Sequence, residues 1–340
     1  MSKYLSFKVG IKILVCTLSV FVVCSCNQNT QPENQALTTE KITVGLSKQP
    51  SSSLFFIAQE KGFFEAQNLA LEVIGFPSGK RALVDGLLED KVDLIATTEV
   101  PFVFSSFQYH DLKIISTIFV ADNVNRIIAR RDAGIVKPND LRSKRVATQK
   151  VSAVHYFLDL FLKENGMSSK DIKLSFMKAE NLPDALAEGK IDAFSMREPF
   201  IAQAKTLLRN NAIIFSEPGI YNQVELLVTR DKYLQENSAS IRRLIKALRD
   251  AQIYANEHLK EANQIISKNL GVPVEVVVST RGNIQQRVSL DQSTLLLLEN
   301  IARWAIDENM VSQHRIPDYL EYIDFDILLS IDENAVSIIH

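Results

Sequence analysis

The sequence predicts an α/β protein folded in two lobes, and three observations lead there. From Ile42 onward, short β-branched runs alternate with helical patterns, which is how βαβ units around parallel strands read. A twelve-residue pattern in the first half recurs 99 residues later. The chain has 340 residues, 46% hydrophobic and 23% charged, more than one core holds efficiently and enough for two with a cleft between them.

Ile42–Leu46 reads as the first strand. Ser51, Ser52 and Ser53 then offer N-cap hydroxyls to a helix over 54–61, closed by Gly62. Leu71–Ile74 is the second strand, and Gly75–Gly79 leads into a helix through Leu83, Leu87 and Leu88. Val92–Ala96 is the third strand. After Asn125 the pattern restarts, with strand 145–147, helix 154–165 and strand 173–176. Val224–Thr229 reads as a return strand, and 238–310 is almost wholly helical in period, with Ile241, Leu244, Ile245 and Leu248 on one face. This tail is expected to pack on the first lobe. The predicted boundaries are 42–125 plus 225–340 for lobe 1 and 126–224 for lobe 2.

The repeated pattern is Leu83 to Leu94 against Leu182 to Ala193, in which Leu, Asp, Leu, Glu, Lys and Asp recur in place. Each copy runs into a strand end and a Glu followed by Pro-Phe: Glu99, Pro101 and Phe102 in one, Glu198, Pro199 and Phe200 in the other. A helix–turn–strand unit used twice would aim a carboxylate and an aromatic from each lobe across the cleft. Alternatively the Leu and Asp positions are core and cap.

Lys3, Lys8 and Lys12 precede an apolar run over 13–24, too short to span a bilayer and shaped like an export signal. Val23-Cys24-Ser25-Cys26 resembles the bacterial lipobox, so Cys26 is the expected lipidation site, 1–25 the signal peptide and 26–41 a polar tether. The body is thereby expected outside the cytoplasm. The three cysteines all lie within the first 26 residues, which leaves the body no disulfide, Cys-ligated metal or Cys nucleophile. Formal charge is −2, from 38 basic and 40 acidic residues without a like-charge block, so nucleic acid is not an expected partner. The five histidines, at 110, 155, 258, 314 and 340, never pair at ligand spacing, and Gly75–Arg81 is one residue short of a phosphate-binding loop. No metal and no cofactor is expected.

Ala58–Phe64 with Leu71–Val73, Leu87 and Asp93, Asp140–Ala147, and Asp192-Ala193 with Glu198-Pro199 together resemble the substrate-binding proteins of ABC importers for nitrate, sulfonate, taurine and thiamine precursors. Ser143 departs from that pattern, standing where the family usually has Gly. The resemblance implies a bilobed periplasmic type II fold, two crossover strands as hinge, and closure on one small ligand. It also implies an ABC permease and its ATPase as partners; the chain is expected to be a monomer, anchored through the lipid on Cys26. The enzyme branch of this fold, thiamine-pyrimidine synthases, carries a Cys-rich segment that this chain lacks after residue 26.

Helix N-termini can hold an anion with backbone N–H groups. Three loops offer them: Ser52 and Ser53, Ser78 and Gly79, and Thr148, Gln149 and Ser152. With Thr98, their hydroxyls are the expected seat of an anionic group, while Glu99, Arg197, Glu198 and Tyr221 would read the rest of the ligand. Arg197 would fork onto a sulfonate or carboxylate, or else pair with Glu198 or Glu99. Such a cleft suits a zwitterion such as taurine. Tyr156, Phe102, Phe200 and Tyr221 would alternatively sandwich a thiamine-type pyrimidine, or simply be core. A ligand sensor that reports to a membrane partner without transport needs the same cleft.

Overall fold

A computed structural model describes residues 39–339. The predicted signal peptide, Cys26 and nearly all of the tether lie outside the described residues. The first strand begins at Glu40, two residues before the expected start of folding.

Two mixed sheets form the scaffold. The first has six strands in the order β11-β4-β10-β3-β1-β2, comprising β1 Glu40–Ser47, β2 Leu69–Phe76, β3 Leu94–Thr98, β4 Leu112–Asp122, β10 Asn222–Arg230 and β11 Ile284–Gln285. The second has five in the order β7-β6-β8-β5-β9, comprising β5 Arg126–Arg130, β6 Arg145–Thr148, β7 Lys173–Phe176, β8 Ala193–Met196 and β9 Ala212–Phe215. The chain crosses from one sheet to the other between β4 and β5 and returns between β9 and β10. Asn125 donates to the Gln223 side chain at 3.3 Å and ties the two crossings together.

The parallel pairing expected from the βαβ pattern is present in β2-β1-β3 and in β7-β6-β8. The crossings add antiparallel partners, because a strand that returns from the other lobe enters its sheet from the opposite end. Thus β10 lies antiparallel to both β3 and β4, and β5 to both β8 and β9. Along β10 seven consecutive residues from Gln223 are buried, as a central strand covered on both faces requires.

The repeated sequence pattern has a structural basis. Asp93 accepts the Thr43 backbone N–H at 2.7 Å, and Asp192 accepts the Arg145 backbone N–H at 2.8 Å. Each carboxylate anchors the edge of the neighbouring parallel strand while its own N–H donates back to that residue's carbonyl. The preceding turns both use a left-handed residue, Asp90 at φ 52° and Gly189 at φ 71°. Ser143 also takes a left-handed φ of 64°, which explains why the resemblance expects glycine in that turn. Asp192→Asn keeps the acceptor and loses its charge, so we expect about 1 kcal/mol of destabilisation, read from the urea midpoint at constant slope.

The tail is helical at Asp231–Glu257, Leu259–Leu270, Val274–Thr280 and Gln292–Asp307. The first of these packs on the Ser53–Glu60 helix of lobe 1, as expected, burying Leu244, Ile245 and Leu248. The Gln292–Asp307 helix reaches further and touches lobe 2 through Trp304. Among the described residues no helix is long and apolar enough to cross a membrane.

Candidate functional site

The residues that follow the carboxyl ends of β1 in one sheet and β8 in the other touch each other, and strand ends of this kind are where open α/β sheets gather ligands. Arg197 follows β8 and sends its guanidinium across to Gln49, in the loop after β1, at 3.2 Å. Two buried carboxylates of lobe 1 lie within electrostatic reach of it, Glu99 at the start of the helix after β3 and Glu225 on β10. Neither is within ion-pair distance of Arg197, so the pairing with Glu99 or Glu198 that the sequence left open is absent. Glu225 is the register partner of Thr98, so the two strand ends lie side by side.

Glu99 is fully buried. Tyr221 donates its hydroxyl to Oε1, and the Val224 N–H donates to Oε2 at 3.1 Å. Burial pushes its carboxyl up from 4.5 to about 8, against the backbone hydrogen bonds that hold it down. Burial likewise lifts Glu225 to about 7, with Arg197 pulling the other way. Burial lowers the Arg197 guanidinium below its ordinary value, and the two carboxylates oppose that shift.

Lys80 of lobe 1 lies close enough to Lys150 of lobe 2 to feel its charge. Burial pushes the Lys80 ammonium down, and the charges of Arg81 and Lys150 add to that shift. Among the described residues neither Lys80 nor Lys150 has a carboxylate within ion-pair distance, and Lys150 instead stands over the Phe176 ring at 5.5 Å. An arrangement of like charges from two lobes favours an anion between them.

An aromatic chain ties the lobes together. Phe176 meets His155 at 4.9 Å, His155 meets Trp304 at 5.0 Å, Trp304 meets Tyr156 at 5.1 Å and Tyr156 meets Tyr221 at 5.4 Å. Three of these four pairs are edge-on, the geometry that ring quadrupoles favour. Tyr156 and Tyr221 are therefore occupied by each other and by Glu99. Phe102 is wholly buried against Tyr322, and Phe200 packs in the lobe 2 core.

The remaining predicted residues fall into two groups. Several hydroxyls are committed to backbone carbonyls: Ser52 donates to Ser47 O at 2.7 Å, Ser53 to Pro50 O at 2.5 Å and Ser152 to Gln149 O at 2.6 Å within their own loops, and Thr148 to Ser195 O on the neighbouring strand at 3.2 Å. Ser78 caps its helix by accepting the Arg81 N–H at 3.3 Å. Gly79 is where that helix approaches β3 so closely that a Cβ would stand 2.8 Å from the Thr97 Cα. Glu198 is exposed and accepts the Ala202 N–H at 3.0 Å. Thr98 makes no side-chain cap bond and lies at the β3 end with Glu99. Thus Thr98, Glu99, Tyr221 and Arg197 come together, while Ser78 and Glu198 serve helix starts. Sequence reasoning missed Gln49, Lys80, Lys150 and Glu225. The lysines directly follow Gly79 and Gln149, so the loops were found and their charged members passed over.

The chain belongs to the NMT1/THI5-like family, whose profile matches residues 29–262. A protein of Bacillus subtilis (strain 168) named for binding aliphatic sulfonates is 25% identical over 288 residues, covering 82% of this chain and 83% of its own. Among solved structures, the alkanesulfonate-binding protein SsuA of Xanthomonas axonopodis pv. citri, bound to MOPS, superposes with a TM-score of 0.70 at 19% identity. It covers 85% of this chain and 99% of its own. A desulfurization enzyme, DSZB, shares the fold with a TM-score of 0.61 at 16% identity, covering 87% of this chain and 99% of its own. The expected bilobed binding-protein fold is thereby established, and it is a fold that also serves an enzyme.

Proposed function

We propose that this protein is the extracytoplasmic solute-binding component of an ABC importer. It captures a small organic anion or zwitterion of the sulfonate type between its lobes and hands it to the permease. The observation that carries this reading is Arg197, a partly buried guanidinium that reaches from lobe 2 to Gln49 of lobe 1 and has no ion-pair partner among the described residues. A carboxylate or sulfonate can take over that bond bidentately and so hold the lobes together. Lys80 and Lys150, also from opposite lobes, support an anion over a flat neutral heterocycle, because the tyrosines that would sandwich a ring are already packed. Closure around the ligand is what a permease would read.

The reading includes a non-enzymatic role, which is supported by relatives that are named as binding proteins. It also includes lipidation at Cys26, for which labelled palmitate incorporation lost in Cys26→Ser is the test. The function itself is tested by thermal shift of the purified protein against taurine, alkanesulfonates, nitrate and pyrimidine precursors. An anion at 100 times its Kd should add about 2.7 kcal/mol, a shift of several degrees. A response confined to the pyrimidines would refute the anion reading.

A further inference from the structure

A cavity of about 590 Å³ opens beside this site and is used by nothing described so far. One wall is the β1 loop with Lys48 and Gln49, another is the Glu198-Pro199 turn of lobe 2, and the rest comes from the tail between Gln252 and Arg287. Gln49 belongs to both places: it lines this cavity and it accepts the hydrogen bond from Arg197. The volume equals roughly 20 water molecules at about 30 Å³ each, within the range of pockets that hold drug-sized ligands. A two-carbon sulfonate on Arg197 would leave it as water.

The lining is chemically divided. Ile266, Leu270, Val277 and Ile284 supply an apolar wall. Arg281 supplies a charge: its guanidinium donates to Asn263 Oδ1 at 2.6 Å and to the Ala255 carbonyl at 3.1 Å, both neutral acceptors. Lys48, exposed at the rim, likewise has no ion pair among the described residues. Arg287 pairs with Asp291 at 2.9 Å, and the Glu198 carboxylate is engaged at its helix start. Among the described residues the cavity therefore carries two cations without an ion pair against one occupied acid, together with an apolar wall, and it shares Gln49 with the Arg197 site.

The geometry points to a ligand with two acidic ends: an elongated organic dianion whose first anionic group takes Arg197, whose apolar middle lies on the Ile266–Val277 wall, and whose second anionic group pairs with Arg281 and Lys48. This deepens the proposed function and rests on it. Its consequence is selectivity by length and by the second charge.

The test is calorimetric titration of the purified protein with three-, six- and ten-carbon α,ω-disulfonates and the matching monosulfonates. At one of the longer lengths the disulfonate should bind at least tenfold more tightly than its monosulfonate. Arg281→Gln should cut that advantage to less than twofold while the short monosulfonate keeps its affinity. Because Arg281 also holds Asn263 and Ala255, Lys48→Gln at a partner-free exposed position is run in parallel and should reduce the advantage about threefold. Val277→Trp, which fills the cavity, should abolish binding of the long ligands alone. Equal affinity for mono- and disulfonates, or an advantage that survives all three variants, overturns the inference and leaves the proposed function standing. Failure of every anion to bind overturns both.

Discussion

Replacing Arg197 by Ala is expected to weaken binding of the ligand found by thermal shift by roughly 2–5 kcal/mol, a loss of about 30-fold to several thousand-fold. The size follows from position. A partly buried guanidinium facing the opposite lobe gives up little hydration when an anion arrives, and Gln49, the side chain it bonds, is neutral and cannot replace its charge. Arg197→Lys keeps the charge and loses the two-pronged geometry, so it should recover only part of the affinity. The loss should lie mainly in a faster dissociation rate, because the interaction forms after encounter and its removal leaves the long-range field little changed. Stopped-flow or surface-based kinetics on the two variants separate these effects. A wild-type affinity in Arg197→Ala would place the ligand elsewhere.

The second large effect is on stability. Glu99 is held protonated up to about pH 8 and Glu225 to about pH 7 when folded, both by burial, whereas the unfolded chain loses these protons near 4.5. Above 4.5 the folded state therefore binds more protons than the unfolded one, so stability falls as pH rises toward 8 and levels off beyond it. His155 acts oppositely at lower pH, since burial first and then the charge of Lys150 lower its imidazole to about 4, and its contribution grows as pH rises to about 6.5. Between pH 6.5 and 8.5 the glutamates outweigh the small remaining gain from His155, and we expect a net loss of roughly 2–3 kcal/mol, most of it from Glu99. Glu99→Gln should flatten this slope, because the amide oxygen can still accept from Val224 and the NH2 group can turn to the Tyr221 oxygen. Chemical denaturation at a series of pH values reads the slope directly. A stability that rises across this window would contradict the burial account. The same protonation favours an anion beside Arg197, so anion affinity should also fall as pH rises from 6.5 to 8.5.

Much of the fold was legible because its signals are local. The strand starting at Ile42, the Ser53 helix and the Asp93 and Asp192 positions follow from alternation, capping and a repeated pattern that recurs at equivalent strand edges. What escaped was non-local. Strand β4, the run Leu112–Asp122, carries no turn punctuation that reveals its partner, and its antiparallel pairing with β10 depends on residues 100 to 118 positions away. The two-faced burial of Val224–Thr229 likewise says that the strand is central but not between which neighbours.

The site shows the same division. Glu99, Arg197 and Tyr221 could be singled out because charged and aromatic residues at strand ends are conspicuous in sequence. The serines could not be sorted in that way, since a hydroxyl that caps its own loop and one that waits for a ligand have identical local sequence, and the Thr148 hydroxyl is taken by a carbonyl 47 residues away. Ser52 is turned back onto Ser47, and only tertiary structure reveals it. Gln49 is an ordinary loop residue until the other lobe brings Arg197 to it.

The most direct measurement is a crystal structure of the protein with its ligand bound. The account predicts that anionic oxygens of the ligand lie about 2.7–3.2 Å from the Arg197 guanidinium, in place of or beside Gln49, with atoms of both lobes around them. A ligand bound outside the strand ends, with Arg197 still on Gln49 and untouched, would contradict it.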